Sequence, residues 1–110
     1  MIETTISGTG NINGVEVTDV VTYWSRPSVG DRNVFYAEGQ DVILTKEGEM
    51  ASWNGYGIGR YNNRSREDRG SVLFSSKSDG KLVSINNMVG VFEYEADENG
   101  NTVGKIWEWK

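Results

Sequence analysis

Two carboxylates two residues apart, in the stretch Phe92-Glu93-Tyr94-Glu95, are the first candidates for chemistry in this chain. On an extended strand Glu93 and Glu95 share one face, and Phe92 and Tyr94 share the other. Were the acidic face buried, mutual repulsion would raise one pKa and create a general acid. Burial preferences favour the opposite arrangement, with the aromatic face inside and the glutamates solvated or at an interface. Glu38, next to Gly39 at an expected bulge, is the single-carboxylate counterpart. Arg60, Arg64, Arg66 and Arg69 surround the polar stretch 62–68, where guanidinium groups could hold an anion. Glu67 and Asp68 lie among them, so a self-neutralised, solvated loop is the expected state.

Two other patterns resemble ligand loops and fail on context. Gly55-Xaa-Gly57-Xaa-Gly59 lacks the following helix N-terminus that a phosphate loop needs. Asp97, Glu98, Asn99 and Asn101 offer oxygen ligands, but their spacing lacks the bidentate glutamate of a calcium loop and reads as a tight turn. The chain has neither cysteine nor histidine. That removes disulfides, thiolate chemistry, the usual general base near neutral pH and the commonest metal ligand. No metal or other cofactor is expected. A net charge of −5 disfavours nucleic acid and anionic membrane surfaces as partners, since both need a basic surface. No basic segment precedes an apolar run and no window approaches a membrane span, so a cytoplasmic location is expected.

The elements that must position these groups are strands. Fourteen glycines, one proline and 11% aromatic residues suit a sheet with tight turns. Strands are expected at 2–10, 15–25, 33–46, 50–61, 69–77, 81–85, 88–96 and 102–110. Turns are expected at Asn13-Gly14, Glu47-Gly48-Glu49, Ser78-Asp79-Gly80 and 97–101, and a loop at 26–32. Such a meander of about eight strands in a single domain, 1–110, avoids exposed edges by closing into an antiparallel up-and-down β-barrel. In the stretch 50–61, MASWNGYGIGRY, Gly55, Gly57 and Gly59 alternate on the face of Ala51, Trp53 and Tyr61. Glycine at that spacing marks strong coiling or a close approach of backbone or ligand. Several strands carry apolar residues on both faces. One face can fill the barrel and the other calls for a partner subunit, hence a homo-oligomer.

From Val34 to Trp109, the strand AEGQDVILT, the turn KEGE, the strand ASWNGYGIG, and the segments GSVLFSSKSDGKL and MVGVFEYEADENGNTVGKIWEW resemble the small calycin-like barrels related to allene oxide cyclase. The resemblance implies a small oligomeric barrel that binds a hydrophobic molecule in its mouth or lumen. It carries over no catalytic residue. The expected ligand contacts are Trp53, Tyr56, Phe92 and Tyr94 as apolar walls, with Glu38, Arg69 and Asn87 as polar partners. The alternatives are a cyclase or isomerase acting through a pocket carboxylate on a reactive hydrophobic substrate, and an assembly module with a filled lumen.

Overall fold

The computed structural model describes residues 2–76, 80 and 82–109. Seven strands run in chain order through one sheet: β1 (Ile2–Ile12), β2 (Val15–Pro27), β3 (Val34–Thr45), β4 (Met50–Asn62), β5 (Ser65–Ser76), β6 (Val89–Ala96) and β7 (Thr102–Glu108). Every neighbouring pair is antiparallel, so the expected all-β meander is present. The sheet is an open half-barrel. Among the described residues β1 and β7 each have a strand neighbour on one side only. Seven is an odd number, so these two edges run in the same direction.

The missing closure has a local cause. The stretch expected as a strand at 81–85 instead holds a single 3₁₀ turn, Val83–Ile85; Lys81 and the turn residues 78–79 lie outside the described residues. Leu82 and Ile85, three apart, fall on one side of that turn. Leu82 has no exposed surface and Ile85 is buried. Asn87, at φ 59°, donates its backbone N–H to Phe74 O, and Phe74 N–H donates to Met88 O. These bonds fold the segment across one end of the half-barrel. Asn13 Nδ2 reaches Ser84 Oγ there, at 3.5 Å.

Two further expectations change. Asn62 pairs with Ser65, so the stretch 62–68 is a two-residue turn on Asn63 and Arg64, with Asn63 at φ 59°, followed at once by β5. The register through Glu38 and Gly39 is continuous, opposite Trp24 and Tyr23, so no bulge forms there. Curvature comes from the inner face.

That face carries Trp53, Gly55, Gly57, Gly59 and Tyr61 of β4, as their alternation requires. Its glycines meet large side chains from β3 and β6. Phe35, opposite Gly59, lays its ring where a Cβ would stand. Phe92, opposite Gly70, has its ring 2.9 Å from the Cβ position of Gly57. The core sits toward the capped end: Val17, Ile43, Ala51, Val72, Phe74, Leu82 and Ile85, with Trp53, Met88 and Phe92 packed on it.

Because the Phe35 ring occupies the space, Gly59→Ala is expected to cost about 1–3 kcal/mol in denaturant unfolding, the range for overpacking. Gly30→Ala, where nothing lies within 4 Å, is the control expected to change stability by less than about 0.5 kcal/mol.

Candidate functional site

The concave face encloses a recess of about 980 Å³ lined from all seven strands and from the 3₁₀ segment. Its floor holds two glycine pairs, Gly39 directly opposite Gly55 and Gly57 directly opposite Gly70, with the Phe92 ring over the second pair. Trp53 rises beside that floor from β4, Tyr23 from β2, and Phe92 and Tyr94 from β6. Two groups of polar side chains interrupt the apolar wall.

The first group is Asp19 of β2, Asp41 of β3 and Trp53 of β4. In the register Asp41 lies between Val21 and Trp53, and Asp19 lies opposite Ile43, so both carboxyls belong to the inner face. Asp41 is only 3% exposed, and its Oδ1 has no hydrogen-bond partner. Burial first, then a hydrogen bond and repulsion from Asp19, push the Asp41 carboxyl up to about 9; Trp53 and the backbone of Val42 act weakly in the other direction. At neutral pH Asp41 therefore holds its proton. Asp19 is half-buried and faces the recess near β1, where a Cβ at Gly8 would lie 3.2 Å from its Oδ1.

The second group lies toward the open end. Arg66 Nε and Nη2 donate to the Asp68 carboxylate at 2.8–3.2 Å, and Nη1 donates to Tyr23 Oη at 3.3 Å. The guanidinium stacks 4.3 Å from the Phe35 ring centre and 5.5 Å from that of Tyr23. Burial works against its charge, but Asp68 and Tyr23 more than offset this and raise its pKa. Here the expected self-neutralisation holds while the solvated loop does not: the Arg66–Asp68 pair lies inside, on a strand.

Of the residues singled out from sequence, Trp53, Phe92 and Tyr94 come together in the recess. Glu38, Tyr56 and Arg69 have the opposite parity and stand on the outer face, where Tyr56 is 64% exposed. Glu38 and Tyr56 line a shallow outer hollow of about 170 Å³ with Trp24, Gln40 and Asn54. Glu93 and Glu95 are also on the outer face, with Glu93 3.4 Å from Arg69 Nη1. Asn87 serves the turn after the 3₁₀ segment.

Sequence reading missed Asp19, Asp41 and Tyr23, and placed Arg66 and Asp68 in a solvated loop instead of on the inner face of β5. A signal was available. Asp41 shares the parity of Gly39 and Ile43, and Asp19 that of Val17 and Val21, so each is a lone acid on an otherwise apolar or glycine face. Among the described residues no group of three or more acidic side chains is placed to hold a metal ion. Comparison with family models, with curated proteins and with solved structures gives no match.

Asp41 binds its proton more tightly in the folded chain than the ordinary value of 3.8 allows, so stability falls as pH rises from about 4 toward 9. Asp41→Asn, which stays neutral, removes this dependence. The melting temperature of the amide variant relative to wild type is expected to rise steadily across that interval; a constant difference contradicts the assignment.

Proposed function

We propose that this chain binds a small, largely apolar molecule on the concave face of the half-barrel. The observation that carries this reading is a recess of about 980 Å³ with aromatic walls, a glycine floor and two confined polar groups. Its volume lies in the range of small-molecule sites, which are mostly apolar with a few polar groups that set orientation. Trp53, Phe92 and Tyr94 supply the walls, and Asp19 is the polar group that a bound molecule meets. We extend the resemblance to allene oxide cyclase-like barrels in the same spirit, as a proposed relationship that a further closing strand would strengthen.

The buried acid supports a second reading, a cyclase or isomerase acting on a reactive hydrophobic substrate. A carboxyl group that keeps its proton at neutral pH in a confined apolar site is suited to proton donation.

A thermal-shift screen with neutral and charged lipophilic compounds tests binding. A compound at one hundred times its Kd adds about 2.7 kcal/mol to stability and raises the melting temperature visibly. Ile6→Trp, at an exposed position lining the recess on β1, is expected to weaken binding by occupying the space. A flat response across the panel rejects the reading.

The assembly proposed with this function is a homodimer through β1. That strand, IETTISGTGNI, is an eleven-residue edge with one charge, Glu3, and no lysine, arginine or proline to discourage pairing. The opposite edge, β7, is shorter and carries Lys105 and Glu108. Antiparallel self-pairing centred on Ser7 sets Ile2 against Ile12 of the second copy, Thr5 against Thr9, and Glu3 against Asn11, with no like charges opposed. Since the chain has no cysteine, Ser7→Cys is a direct reporter: oxidation is expected to cross-link dimers, and sedimentation as a monomer at micromolar concentration contradicts the pairing.

A further inference from the structure

The charges facing the recess are unbalanced. Strand by strand, the inner face presents Asp19 and Tyr23 from β2, Asp41 from β3, Tyr61 from β4, Arg66 and Asp68 from β5, Tyr94 from β6 and Glu108 from β7. The inner positions of β1 carry no titratable side chain; Glu3 has the outer parity. Among the described residues, four carboxyl groups thus share the inner face with one guanidinium. That guanidinium is committed: Asp68 takes it in a two-pronged ion pair, and Tyr23 and Phe35 cover it. Among the described residues, no cationic side chain with inner-face parity answers Asp19 and Asp41. Asp41 is 97% buried by the complement of its 3% exposure, and its Oδ1 lacks a hydrogen-bond donor.

We propose that the molecule taken up by the recess is a cationic amphiphile, its protonated amine seated at the Asp19–Asp41 pair beside Trp53 and its apolar body lying in the recess against Phe92. This inference rests on the binding reading above and narrows it to a chemical class. An ammonium supplies the donor that Asp41 Oδ1 lacks, beside the donors that Trp53 and the backbone of Val42 already give that carboxyl. Calcium or magnesium fits poorly, because the pair offers two side chains among Val21, Ile43 and Trp53, where a hard divalent ion requires about six oxygens. An anionic headgroup meets like charge on a desolvated surface and is rejected. The proton held at Asp41 adds a thermodynamic signature. A cation seated there favours the ionised pair, so its binding expels a proton that a neutral ligand leaves in place.

Three probes with one naphthalene body separate these effects: 1-naphthylmethylamine, 1-naphthalenemethanol and 1-naphthoate, titrated calorimetrically near neutral pH in two buffers of different ionisation enthalpy. The amine is expected to bind at least about tenfold more tightly than the alcohol, the size of one charge-assisted hydrogen bond, and the carboxylate more weakly than either. Only the amine's heat should depend on the buffer. Asp19→Asn and Asp41→Asn, each checked for an intact fold by its melting transition, are expected to bring the amine to the alcohol's affinity on the same variant. Equal affinities for all three probes, or a preference for the carboxylate, overturn the cationic assignment while leaving the binding site standing. Failure of all three to bind, together with a flat compound screen, overturns the site and this inference with it.

Discussion

A tightly coiled sheet brings the inner faces of adjacent strands so close that two side chains cannot stand opposite one another at every level. The half-barrel meets this constraint by pairing a glycine with a large residue across the strands: Gly59 with Phe35, Gly39 with Tyr23, Gly70 with Phe92 and Gly55 with Val72. The rest of the molecule depends on that pairing. Where the large partner lies flat over the glycine, as Phe35 does, the interior is packed. Where glycine faces glycine, at Gly39–Gly55 and Gly57–Gly70, neither residue of the pair raises a side chain, and the rings that reach over them, Trp53 at Gly55 and Phe92 at Gly57 and Gly70, line the recess.

The same constraint decides what could be read from the sequence. Alternation in MASWNGYGIGRY correctly places Trp53 and its three glycines on one face, and Asn13-Gly14, with φ of 50° and 86°, forms the expected turn. That alternation also separates Tyr56 from Trp53, since one strand cannot turn both into one recess. The polar residues inside were harder to see. Asp19 and Asp41 are single acids within apolar strands, and their meeting depends on the β2–β3 register across a six-residue connection. Arg66 and Asp68 looked like loop because of their composition. Only the two-residue turn at Asn63 and Arg64 places them on a strand, where alternation turns both inward. The segment at 82–85 is a short apolar run of the kind that strand and helical turn share, and the bonds from Phe74 to Asn87 and Met88 decide between them.

The two interior polar groups are built on different electrostatic principles. Arg66 and Asp68 satisfy one another, with Tyr23 and Phe35 completing the arrangement, so that pair is a closed unit that shapes the open end. Asp19 and Asp41 are both acids, and the proton held at Asp41 relieves their repulsion without supplying the donor that Oδ1 lacks. One group is complete by itself, and the other has capacity to spare.

The parallel edges have a consequence for how such a sheet can grow. Adding a hairpin inserts two strands and leaves the outermost pair again running the same way, however many times it is repeated. Only a single strand, arriving alone and running against both edges, turns the count even and lets antiparallel ladders continue all the way round. Parity therefore makes this half-barrel insensitive to growth by hairpins and selective for growth by one strand. A symmetric pair of copies obeys the same arithmetic, since a twofold axis reverses the second chain and brings the total to an even fourteen.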